Sequence, residues 1–103
     1  MRAKTVKETL KAMLWMYENT LEWTQKSTWR NILGEPVYNL GVDIHSACLY
    51  GNLSLVDTDA GINMKTQDAL RSLTGHSLVL WNDSSLRSKK DVIDLLKKLI
   101  KES

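Results

Sequence analysis

Three side chains in this sequence can bind a soft metal or act as a nucleophile with a base: His45, Cys48 and His76. His45 and Cys48 stand three apart with Asp43 close by, a spacing that brings both to one side of a helix. Structural zinc sites take four ligands, and no fourth is evident, so no metal is assigned. Nucleophilic catalysis by Cys48 with either histidine meets a further objection. The thiol lies in Ala47-Cys48-Leu49-Tyr50, and apolar surroundings raise a thiol's pKa and keep it protonated. Cys48 therefore reads as a small core residue and His45 as a surface or boundary residue. Asp57, Asp59 and Asp68 sit at calcium-loop spacing. However, Ile62 stands where that loop needs glycine and Asp68 where it needs glutamate. No glycine-rich phosphate loop is readable. No catalytic residue and no cofactor are assigned.

The densest polar cluster is Trp81-Asn82-Asp83, with Arg87 one turn further on. Its functional reading is a ligand patch beside an aromatic wall, the centre of a small ligand-binding domain or enzyme, with His45 as a further member. Its structural reading is favoured: Asn82 and Asp83 bond helix ends, Arg87 pairs with Asp83, and Trp81 anchors the turn to the core. Every helix end needs such partners for its orphan amides and carbonyls.

The elements that must hold these residues are mainly helical. Thr5 and Glu8 have capping-box spacing. Val6, Leu10, Met13, Leu14, Tyr17 and Leu21 follow at helical steps, which predicts an amphipathic helix from about Val6 to Glu22. Trp15 falls on its polar face, and Ala12, Met16 and Trp23 form a second stripe. From Trp23 the periodicity stops. Residues 24–38 read as a small irregular or β-hairpin insert, with a turn at Gly34 and a proline at 36 that bars a central strand. Asn39 and Gly41 end it. Asp43 is then a good N-cap for a helix from Ile44 through Leu53. Asn63 or Thr66 caps a short helix that stops at Gly75. Ser77 to Trp81 is apolar enough for a buried strand or a helical turn, and Ser77 and Asn82 at its ends favour the turn. Ser88 with Asp91 opens a last helix whose apolar face is Val92, Ile93, Leu95, Leu96, Leu99 and Ile100, with Asp94 and Lys98 paired opposite.

These elements make one domain over residues 1–103, a compact four- or five-helix fold, mainly α. The chain has 103 residues, 43% hydrophobic and 25% charged, which suits a single core and excludes wholesale disorder. Its single cysteine rules out an internal disulfide and fits a cytoplasmic setting. No apolar run is long enough to span a membrane. The net charge is +2 and the bases gather at the two ends. Lys89, Lys90, Lys97 and Lys98 with the basic N-terminus are the basis for an alternative, a nucleic-acid-binding protein. Asp91 and Asp94 among those lysines argue against an extended phosphate-binding stripe.

Several marked elements occur in a fixed order: Trp23-Thr24-Gln25, Gly34-Glu35-Pro36, Cys48-Leu49-Tyr50-Gly51, Trp81-Asn82-Asp83, Arg87-Ser88, and the final helix from Val92 to Ile100. In order and spacing this resembles a family of small bacterial and phage proteins classed as a domain of unknown function. Lys26 stands where that family usually has glycine after the Gln, Leu86 where glycine precedes the Arg, and Ser88 where Thr is usual. The resemblance implies a compact, mainly helical domain and a phage or prophage accessory role. It brings no activity and no catalytic residue. The function expected is a non-enzymatic protein-interaction module acting on a host or phage protein, through Trp15, Met16 and Trp23. Self-association through the second stripe, Ala12, Met16 and Trp23, is a further expectation.

Overall fold

The first helix, α1 (Val6–Asn19), starts where Thr5 accepts the Glu8 N–H through its side chain. The Glu8 carboxylate reaches one residue past the cap, to the Lys4 N–H at 2.8 Å. Leu10, Met13 and Tyr17 are buried, as the periodicity predicts. The helix ends three residues before the expected Glu22. Thr20 and Leu21 both donate to the Met16 carbonyl, and the next amide, Glu22, donates to His45 O at 3.0 Å instead. An available strand partner stops the helix.

The computed structural model describes residues 2–39, 43–75 and 77–103. Gly41 and His76 lie outside them. After α1 come β1 (Glu22–Trp23), β2 (Trp29–Arg30), β3 (Pro36–Val37) and β4 (Ser46–Ala47). They form a four-stranded sheet in the order β1-β4-β2-β3, with β1 parallel to β4 and the other pairs antiparallel. The hairpin expected within residues 24–38 is β2 and β3, and Pro36 occupies the outer strand, where its missing N–H costs no ladder bond. Arg30 fastens the hairpin: its guanidinium donates to Thr24 Oγ1, Gln25 O and Gly34 O.

The stretch after Asp43 corrects the sequence reading. It is not a helix from Ile44, and Asp43 caps nothing there. Ser46 and Ala47 form β4, an inner strand between β1 and β2, and both are buried. Their neighbourhood bonds on both sides, with His45 N–H to Arg30 O at 2.8 Å, Cys48 N–H to Thr28 O at 3.1 Å, and Thr24 N–H to Ala47 O at 3.2 Å. Ladder bonds to two strands overrode a weak local helical preference. The helix begins only at α2 (Leu49–Leu55), with Cys48 as its N-cap.

The next helix, α3 (Ala60–Thr74), starts earlier than expected. Asp59, not Asn63 or Thr66, is the cap, accepting the Ile62 N–H at 2.8 Å. The Thr66 hydroxyl is buried in mid-helix and bonds back to Ile62 O. Gly75, at φ 93°, ends the helix as predicted. The Ser77 to Trp81 run is helical: α4 (Leu78–Asn82) is capped by Ser77. Ser88 and Asp91 form the predicted capping box of α5 (Lys89–Glu102), which buries Val92, Leu95, Leu96 and Leu99. Asp94 pairs with Lys90 at 2.9 Å, one turn earlier, rather than with Lys98.

The fold is mainly helical with a small sheet. Helices α1 and α5 pack side by side. Glu18 meets Lys97 and Glu22 meets Lys89, so they run in opposed directions. Tyr17 joins α1 to the sheet by donating to Ala47 O at 2.9 Å, and Asn52 joins α2 to α1 by donating to Met13 O at 3.0 Å.

Candidate functional site

Asn82 is the centre of the polar cluster, and it is 1% exposed. Its Oδ1 accepts from Trp23 Nε1 at 2.6 Å and from the Leu49 N–H at 3.1 Å. Its Nδ2 donates to Thr24 O and to Asp83 Oδ1, both at 3.0 Å. Gln25 Nε2 donates to Asn82 O and Ser84 O. Asp83 Oδ1 also accepts the Lys26 N–H at 2.9 Å. Trp23-Thr24-Gln25, Cys48-Leu49 and Trp81-Asn82-Asp83, far apart in sequence, are therefore one junction in space. That junction holds the sheet, the start of α2 and the end of α4 together.

Arg87 does not pair with Asp83. Its guanidinium stacks over the Trp81 ring at 3.9 Å, and its Nε donates to Trp81 O at 3.0 Å. The four residues of the sequence-derived patch do not share a cavity. Trp81 and Arg87 border an open hollow of about 280 Å³ beside Asp94 and Lys98. Asp83 borders another of about 170 Å³ with Lys26, Ser27 and Cys48. Asn82 faces neither, because the amide is consumed by the junction. Its chemistry is that of a clamp.

One cost of the junction is visible. Lys26 holds φ 66°, in the left-handed region, so that its N–H reaches Asp83. A side chain is disfavoured there by about 1–2 kcal/mol, and glycine is not. Lys26→Gly is expected to stabilise the protein by about 0.5–1 kcal/mol, the strain relieved less glycine's larger unfolded-state entropy. That gain reads as a rise of a few degrees in the melting temperature.

Cys48 is buried, and its Sγ accepts the Gly51 N–H at 3.3 Å. Burial pushes the thiol above its ordinary range, and the Gly51 hydrogen bond offsets that only in part. His45 is exposed on the strand side of Cys48 rather than on a shared helix. Among the described residues, no group of three or more His, Cys, Asp or Glu is placed to hold a metal ion. None of their helices is long and apolar enough to cross a membrane.

A different surface gathers the first helix's second stripe. Trp15 is 58% exposed. With Ala12 and Met16 it lines a groove of about 360 Å³, closed on the far side by Ala3, Leu55, Val56 and Asp57. Two bonds place that far wall: Ala3 N–H to Asp57 O at 2.9 Å, and the Thr58 hydroxyl to Ala3 O at 2.9 Å. Trp23, the third residue of the expected stripe, is elsewhere. It packs half-buried on the core and gives its indole N–H to Asn82. The stripe breaks because α1 ends at Asn19. Leu55 and Val56 were not foreseen as part of this surface, since only the packing of α2 on α1 brings them there.

The fold and these two sites define a small, mainly α domain with a sheet insert, a polar junction at its centre and an apolar groove on its first helix. No family model, curated protein or solved structure matches the chain.

Proposed function

We propose that this chain is a non-enzymatic protein-interaction module that engages a partner through the Trp15 groove. One observation carries the reading: a tryptophan 58% exposed beside an apolar groove. Tryptophan is enriched at binding hot spots, and here it stands beside a groove that can receive an apolar group. In the polar cluster that offered a ligand site, the Asn82 amide is taken up by the protein's own backbone and side chains, and Asp83 and Arg87 border different hollows, which supports the groove over the cluster as the binding surface. The resemblance to phage and bacterial proteins supports an accessory role toward a host or phage protein, in the cytoplasm.

The test is affinity capture with the wild-type chain and with Trp15→Ala. The variant is expected to lose about tenfold or more in retained partner. Its urea midpoint should stay within the small range of surface substitutions, about 0.5 kcal/mol. Undiminished capture, or a variant that unfolds, overturns the assignment of Trp15 to binding.

A further inference from the structure

We infer that the occupant of the Trp15 groove is a second copy of this chain, docked across a twofold axis with its α1 antiparallel to the first. The inference rests on the binding reading above and names the partner. It follows from how the outer face of α1 is charged. Before Trp15 that face carries Lys7 and Lys11 against Glu8, with Lys4 just ahead of the helix, and after it comes Glu18, with Glu22 just beyond the helix. Reversed upon itself about Trp15, the face sets its basic half against its acidic half.

The positions agree in detail. In an antiparallel pair centred between residues 14 and 15, Lys11 of one copy stands opposite Glu18 of the other, and the symmetry repeats the pair. At 3.6 residues per turn, Lys11 and Glu18 lie about 40° and 60° to one side of Trp15. A twofold axis perpendicular to the plane of the two helices keeps that side facing its own counterpart. Ala12 and Met16 lie about 60° and 100° to the other side, on the groove. The small side chain of Ala12 leaves the hollow there. The incoming Trp15 fills it, against Leu55 and Val56, so each copy supplies a knob and a hole. This self-complementarity is what a twofold interface requires. Lys11 makes no ion pair among the described residues. Glu18 holds Lys97 only at 3.9 Å with its side chain 44% exposed, open to a second cation.

Sedimentation equilibrium from about 1 µM to 1 mM tests this. A chain of 11.8 kDa should reach twice that mass with rising concentration. Trp15→Ala should stay monomeric. Lys11→Glu and Glu18→Lys should each weaken self-association by about tenfold, since symmetry turns two attractions into two repulsions. An equimolar mixture of those two variants should restore it, because both pairs are then opposite in sign. A wild-type chain that is monomeric throughout overturns the proposal, and so does a mixture of folded variants that fails to recover. A monomer whose capture of another protein still depends on Trp15 overturns the second copy alone and leaves the binding reading standing. Wild-type dimers and capture both untouched by Trp15→Ala overturn the two together.

Discussion

Asn82→Ala is expected to destabilise the protein by about 3–5 kcal/mol, a large part of the roughly 5–15 kcal/mol that holds a domain of this size. The substitution removes a buried amide whose four hydrogen bonds reach Trp23, Leu49, Thr24 and Asp83. It strands the Leu49 N–H, the Trp23 indole N–H and the Thr24 carbonyl. A buried polar group left without its partner costs about 1–3 kcal/mol. The Leu49 amide is at the start of α2 and has no helical acceptor of its own. Urea denaturation of the variant against the wild type measures the loss.

Asn82→Asp sharpens the test. A carboxylate still accepts from Trp23 and Leu49, but it cannot donate to Thr24 O, and it sets a second negative charge beside Asp83. Burial and that charge raise the new carboxyl's pKa in the folded state. A group raised on folding contributes stability below its unfolded value and loses it as pH rises through the folded one. The variant should therefore be closer to wild type at about pH 4, where it is protonated and donates, than at pH 7. Equal loss at both pH values contradicts the hydrogen-bond account.

Gly51→Ala carries the second large effect. In most helices this exchange stabilises, by up to about 1 kcal/mol. Here a Cβ would come 2.3 Å from Thr28 O and 3.0 Å from Thr28 Cγ2. The near atom is backbone of the segment entering β2, so it cannot turn aside as a flexible side chain would. The same carbonyl accepts the Cys48 N–H, and Gly51 O accepts Trp29 Nε1 at 3.0 Å. Relieving the clash must open the contact between α2 and the sheet. We expect a net loss of at least about 2 kcal/mol, with loss of the Trp29 hydrogen bond. The urea midpoint and the Trp29 indole N–H shift in an NMR spectrum report the two separately. A neutral or stabilised variant would mean that the loop moves freely.

These two positions show where local reasoning stopped. The apolar run before Gly51 is readable as helix, and a glycine there signals a close neighbour without saying which. Only the folded chain supplies Thr28. Asn82 is readable as the end of a helical turn. That its amide also caps α2 and holds Trp23 depends on residues 33 and 59 positions away. Asp43 misled for the converse reason. It is a sound cap followed by residues that tolerate helix, but residues 45–47 were claimed by strands on both sides.

From residue order alone, this protein's helical character is settled wherever the signal is local and repeated. The face of α1, the capping box and face of α5, the stop at Gly75 and the turn from Ser77 each rest on contacts within a few residues. The sheet could not be settled that way. Each strand is two residues long, too short for an alternating pattern, and outside the local β2–β3 hairpin, which the turn residues did signal, the ladder joins distant segments. The sites divide along the same line. Trp15's misfit with its own helix face was legible, because helical periodicity assigns it to the polar side. The groove beside it was not, since Leu55, Val56 and Ala3 reach it only through packing. The cluster at Trp81-Asn82-Asp83 was visible as a cluster, and folding spent its polar groups on the junction that holds the domain together.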